Sequence, residues 1–375
     1  MRRSRRIVLM VVAVLAGALG LAVLAGGSGD RPERSRPGSE PPRGAQQPAG
    51  AKAPGYRRGV NVYTLLYLSS DPAYRGEPSS SYRFLASRGI DIIRLPFRWG
   101  TLQPTLGGPF DPAFEASLIR EVRRIDAAGM QTVLDLHNSY RHPTSEGPAS
   151  IVDGISQAHL DDVWLKLSRL FEDDPSIHAY DLMNEPYDLP SRAIETASQG
   201  IVTALREAGD DTLLWIEGNE YSAVEDWSSN HPKPWIDDPA DNHMYSAHSY
   251  IGGQDSNPIY PGNIDGDPRR TTLANLKVFT DWLDRYGQRG SIGELGWPSR
   301  RFNPSWQAWN RLYEAWYRAA DAAALDVTYF GATSAYDEHL FAYDAPDNRF
   351  RPTPGISQAE SQASVIEAHP SRPAP

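Results

Sequence analysis

Eight short apolar runs recur along this chain with amphipathic helical patterns between them, and that alternation restricts the fold more than any other feature. The runs are 58–65, 90–97, 131–137, 177–185, 213–219, 244–250, 290–295 and 326–333. The helical patterns are clearest at 112–128, 158–172, 191–208, 271–286 and 305–323. In the second of these, Leu160, Val163, Leu167 and Leu170 recur at helical spacing and predict one buried stripe. Strands joined by crossover helices pair in parallel, and eight such units in about 310 residues predict closure into an α/β (β/α)8 TIM barrel. An open doubly wound sheet would favour a glycine-rich phosphate turn after its first strand, and Gly59-Val60-Asn61-Val62-Tyr63-Thr64 supplies none. One domain is expected over 55–368.

The two ends read differently. Arg2, Arg3, Arg5 and Arg6 precede an uncharged apolar run over 7–25 and then Gly26, Gly27 and Ser28. That is the layout of an export signal, but the run is also just long enough to span a bilayer. Residues 1–27 are thus a cleaved signal or a membrane anchor, and Ser4-Arg5-Arg6 resembles a twin-arginine signal although Val8 stands where an aromatic is usual. Either way the domain faces the outside of the cell. Residues 28–54, rich in Gly, Pro, Ser, Ala and Arg without apolar periodicity, are expected to be a disordered tether, and 369–375 a disordered tail.

Charge and cysteine narrow the chemistry. Of 37 basic and 47 acidic residues, nine and three fall within 1–54, leaving 28 and 44 beyond it. So acidic a domain lacks the basic footprint that nucleic acid needs and suits a neutral ligand. Without cysteine there are no disulfides, thiol nucleophiles or thiolate metal sites. His243 and His248 are five apart, which is not the spacing of a helical zinc pair. The acidic loop 252–268 does not match a calcium loop. No metal and no cofactor are expected, and the protein is expected to be a monomer.

In such a barrel the active site forms where the strands end. Polar residues at those ends are Arg94, His137, Asn138, Asn184, Glu185, His248, Tyr250 and Glu294. Pro186 is expected to stop the fourth strand and leave Asn184 and Glu185 at the mouth. Two carboxylates accompanied by Arg, Tyr and Asn suit glycoside hydrolysis, which needs one carboxyl protonated and one ionised. Arg94 and the Tyr250 hydroxyl would favour the charged form of one, and apolar shielding would raise the pKa of the other. Asp135 and Asp181, inside their strands, are expected to be buried and hydrogen-bonded. Glu217 and Glu220 are rival carboxylates at the fifth strand's end, suited to a distal subsite or to a structural role.

Six motifs in order, Arg58-Gly59-Val60-Asn61, Ile93-Arg94-Leu95-Pro96, Leu134-Asp135-Leu136-His137-Asn138, Asn184-Glu185-Pro186, His248-Ser249-Tyr250 and Gly293-Glu294-Leu295-Gly296, resemble those of glycoside hydrolase family 5, the cellulase-like family. The resemblance implies a retaining (β/α)8 glycosidase acting without metal on β-linked polysaccharide or oligosaccharide. Glu185 matches the acid/base and Glu294 the nucleophile. Asn184 matches the amide that holds the sugar 2-hydroxyl, Arg94 and Tyr250 the groups that hold the nucleophile, and His137 and His248 the histidines lining the cleavage subsite. The last strand departs from the family, which presents Trp as the floor of that subsite. Here Phe330 stands in its place, with Tyr329 the alternative register and Trp297 a candidate substitute platform.

An endo-β-1,4-glucanase is the first expectation for substrate. A β-mannanase, a β-1,3-glucanase and a glycolipid-directed glycosidase share the chemistry. A non-catalytic glycan-binding protein on the cell surface is the reading from another class, and the retained carboxylates with their Arg and Tyr supports argue against it.

Overall fold

A computed structural model describes residues 55–67, 76–251, 264, 267–335, 340–346 and 355–373. Eight parallel strands close on themselves: β1 (Arg58–Val62), β2 (Ile92–Phe97), β3 (Gln131–Leu136), β4 (Ile177–Asp181), β5 (Leu213–Glu217), β6 (His243–Ser249), β7 (Gly290–Leu295) and β8 (Asp326–Ala332). They pair in sequence order, and β8 returns to β1 through Arg58↔Val327 and Gly59↔Thr328. Helices Ser79–Ser87, Pro112–Asp126, Gln157–Phe171, Ser191–Glu207, Asp267–Tyr286 and Trp306–Ala322 belong to the connections. The (β/α)8 expectation is met. A short hairpin, Arg141–Thr144 with Gly147–Ser150, is inserted after β3.

The period-two alternation of each strand sorts its side chains into two cores. Ile93, Leu95, Leu134, Leu136, Tyr180, Leu214 and Ile216 join the large cluster that includes the helices. Ile92, Val133, Ala179 and Trp215, with Met244, form a separate cluster of their own. Two residues further along each of those four strands come Arg94, Asp135, Asp181 and Glu217, all buried. An apolar layer therefore lies beneath a charged one, stacked as barrel interiors require. Helix Gln157–Phe171 buries Leu160, Val163 and Leu167 as expected, with Trp164 and Phe171 extending the stripe that Leu170 only borders. Trp309 and Trp316 are fully buried along helix Trp306–Ala322.

Several boundaries differ from expectation, most of all at the end of β4 and at the tail. Strand β4 ends at Asp181, so Pro186 is not its terminator; residues 182–184 continue as irregular backbone still tied to neighbours through Leu182 N–H to Trp215 and Asn184 N–H to Leu136. The expected disordered tail is also corrected for 369–373. Arg372 exchanges backbone hydrogen bonds with Tyr56, Ser371 accepts from the Arg58 N–H, and His369 lies 2.6 Å from Asp321. Backbone groups at the start of β1 find partners there that the barrel alone does not provide. The expected signal and tether, and most of the 252–268 loop, lie outside the described residues.

Candidate active site

Arg94 is the hub of the barrel mouth. Its guanidinium, with no exposed surface, donates to Asn61, Asp181, Asn184, Glu217 and Glu294 at 2.8–3.0 Å, and Nη1 also lies 3.1 Å from Asp135. A planar fork with five donors is the one side chain that can satisfy so many acceptors at once. Enclosed by Asp135, Asp181, Glu294 and Glu217, it is held well above its ordinary pKa despite its burial.

Glu294, on β7, accepts at both oxygens. Oε1 takes hydrogen bonds from Arg94 (2.8 Å) and Tyr63 (3.0 Å), and Oε2 one from Tyr250 (2.9 Å). Burial alone would raise its pKa, but the charges of His248, Arg94 and His137 and the Tyr250 hydrogen bond outweigh it and hold the carboxyl down at about 2. Glu294 is thus a carboxylate throughout the ordinary pH range.

Glu185 is pushed the other way. Burial raises its pKa and the neighbouring Glu294 charge adds to this, while a 2.8 Å hydrogen bond with His248 Nδ1 opposes it. Its backbone is left-handed (φ 45°), a conformation that side chains other than glycine rarely adopt and that concentrates at functional sites. Single oxygens of Glu185 and Glu294 and a ring nitrogen of His248 lie within 4.8 Å of one another. Across the strands, Gly293 leaves room for His248, since a Cβ there would stand 3.0 Å from Nε2.

Glu217 is neither a distal-subsite residue nor exposed. Its Oε2 accepts the Glu185 backbone N–H at 2.7 Å, and its Oε1 lies 3.1 Å from His248 Nε2. His248 therefore has a carboxylate on each ring nitrogen and is held well above the ordinary imidazole pKa, even though burial opposes this, with Glu217 the strongest of the charges responsible. His137, half-buried, is fixed by Asp135 at 2.9 Å and is also raised. Asn184 places Oδ1 on Arg94 and Nδ2 3.4 Å from His137. Geometrically Glu185, His248 and Glu294 could surround a cation, but a ligating imidazole must be neutral, and the charges of Glu217 and Glu294 raise the pKa of His248 and so disfavour that form.

Three further residues singled out from the sequence have other surroundings. Phe330 is half-buried and packs against Tyr63 (4.5 Å between centroids) and Tyr250 (6.1 Å), the two phenols that hold Glu294. Tyr329 is fully buried, so the register that places Phe330 at the mouth is the observed one. Trp297 is corrected: it has no exposed surface, stacks on Tyr313 at 4.1 Å and donates its indole N–H to Asn310, so it is packing rather than a sugar platform. Asn138 is spent on backbone, accepting from the Trp99 N–H at 2.6 Å and donating to the Arg141 carbonyl, which shapes the loop after β3. Asn61 and Tyr63 were absent from the expected set, although both are polar groups at the end of β1 and the strand-end rule could have found them.

An eight-stranded parallel barrel with two carboxylates converging at its mouth defines the architecture of a barrel glycosidase. The family model for Cellulase (glycosyl hydrolase family 5) matches residues 68–335, and the chain belongs to that family. "Probable endo-beta-1,4-glucanase B" of Aspergillus oryzae is 28% identical over 222 residues, covering 58% of this chain and 62% of that protein. The match therefore spans less than two thirds of that relative's length. Endo-beta-1,4-glucanase B of Emericella nidulans is 23% identical over 305 residues, covering 79% of this chain and 84% of its own. The fold is shared with endoglucanase Cel5A of Pseudomonas stutzeri at a TM-score of 0.72 and 22% identity, over 85% of this chain and 97% of that one.

Proposed function

We propose that this protein is a retaining endo-β-1,4-glucanase in which Glu185 is the acid/base and Glu294 the nucleophile. The observation that carries the reading is the pairing of two carboxyl groups, with oxygens within 4.8 Å, whose surroundings drive one toward the neutral and the other toward the charged form. Retaining enzymes hold their carboxyl groups roughly 5 to 5.5 Å apart, and inverting ones leave about 6.5 to 9.5 Å for a water.

In the first step Glu185 gives its proton to the glycosidic oxygen, that bond breaks, and Glu294 forms an ester with the anomeric carbon. Oε2 is the better placed attacking atom, because it carries one donor where Oε1 carries two. Water then attacks the same carbon, gives its proton to Glu185, and Glu294 departs as carboxylate. Asn184 faces the sugar 2-hydroxyl, and Phe330 offers its ring as the subsite floor. The relatives' names favour β-1,4-glucan as substrate. The basic and apolar start of the chain favours export, with anchorage through 7–25 the alternative to cleavage; among the described residues no helix is long and apolar enough to cross a membrane. We expect a monomer.

The test is hydrolysis of carboxymethylcellulose, mannan and laminarin by the purified 55–375 domain, with proton NMR of the first product anomer. The reading expects cleavage of the β-1,4-glucan and a β-anomer appearing before mutarotation. An α-anomer, or mannan as the preferred polymer, would contradict it.

A further inference from the structure

Glu217 takes part in neither step, yet its side chain is wholly enclosed among the groups that do. Its Oε2 holds the Glu185 N–H at 2.7 Å, and so pins the backbone of a residue whose left-handed conformation persists only where the surroundings over-determine it. Its Oε1 lies between Arg94 Nη2 (3.0 Å) and His248 Nε2 (3.1 Å). The far nitrogen of the same imidazole reaches Glu185 Oε1 at 2.8 Å. Facing Glu217 and an ionised Glu185, the imidazole makes both contacts favourably only when both ring nitrogens carry hydrogen.

We propose that Glu217 is a positioning residue for the acid/base: through the Glu185 backbone and through His248 it fixes the direction of the Glu185 carboxyl and keeps an N–H donor on it. The inference rests on the reading of Glu185 as acid/base. When Glu185 gives its proton to the leaving oxygen, the carboxylate that remains meets His248 Nδ1–H. When it takes a proton from water in the second step, the same donor releases it. Glu217 itself neither gives nor takes a proton. The other groups that act on this system are Arg94 and Asp181 inside the barrel, Glu294 from β7 and the Tyr140 phenol from the loop after β3. Burial, and the Glu217 charge next, push Asp181 well above the ordinary carboxylate range, which marks Glu217 as the anion of that pair.

Glu217→Gln keeps the shape and removes the charge. A residue acting through the acid should matter more when the leaving group needs its proton. The expected result is a fall in kcat at least about tenfold larger on phenyl β-cellobioside than on 2,4-dinitrophenyl β-cellobioside, within the hundredfold or more that general acid catalysis supplies. Equal losses on the two substrates would overturn the inference. In the wild type, NMR of 15N-labelled histidine should show His248 still doubly protonated at a pH where an ordinary imidazole has lost its proton, and in the variant it should lose that proton at lower pH. A neutral wild-type His248 at pH 6 would overturn the inference whether or not the variant folds. Glu185→Gln serves as the reference: if it lacks the leaving-group dependence, the acid assignment itself has failed, and that outcome is distinct from a failure of Glu217→Gln alone.

Discussion

Removing one of the two tyrosine hydroxyls that donate to Glu294 should move the acid side of the pH profile upward by a predictable amount. A hydrogen bond to a charged group contributes about 1.5–3 kcal/mol, and one pKa unit corresponds to about 1.4 kcal/mol, so losing a phenol should raise the Glu294 pKa by about 1 to 2 units. Tyr250 is partly exposed, and water can take the place of its hydroxyl, so Tyr250→Phe belongs at the lower end. Tyr63 is 2% exposed and donates to the oxygen shared with Arg94, so Tyr63→Phe belongs at the upper end. The sign follows from what each bond favours. Both stabilise the ionised form, so the folded pKa of about 2 rises toward the ordinary 4.5 when either is lost. The same shift bears on folding. Stability that the depressed Glu294 contributes is present above pH 4.5 and is lost as pH falls toward 2, and the variants lose part of it. The assay is kcat/KM on cello-oligosaccharides from pH 2.5 to 7. An acid limb that stays in place while activity drops uniformly would refute the electrostatic reasoning.

Arg94→Met takes from Glu217 and Glu294 the cation they share with Asp135 and Asp181, so denaturant unfolding at pH 7 should show a loss of about 3–5 kcal/mol, shrinking at lower pH as Glu217 and Glu294 protonate. Trp297→Ala and Phe330→Ala should separate core from cleft. The first should cost about 3–5 kcal/mol of stability. The second should cost far less and raise KM instead. A rise in KM without destabilisation from Trp297→Ala would return that residue to the cleft.

Much of this arrangement was legible because the barrel imposes order on the chain. Period-two strands make the inward positions countable, and the active mouth must lie at the strand ends, so the sequence alone points to Arg94, Glu185, His248 and Glu294. What the sequence hid depends on partners far along it. Glu217 was visible at the end of β5, but its role comes from groups 31, 32 and 123 residues away. Trp297 stands three residues beyond Glu294, yet the chain leaving β7 turns its ring onto Tyr313 of the following helix, which no strand alternation foretells. The tail departs from its expectation for a similar reason. Its composition suggested disorder, while its partners sit at Tyr56 and Arg58, more than 300 residues earlier.

The central claim is that Glu294 forms the covalent intermediate while Glu185 handles the proton. Incubation with a 2-deoxy-2-fluoro-β-cellobiosyl fluoride, which slows the second step more than the first, should trap the ester for peptide mass spectrometry. A single 2-deoxy-2-fluorocellobiosyl adduct on Glu294 is the expected result. An adduct on Glu185 or Glu217, or rapid turnover of wild type by an inverting route without any adduct, would contradict it.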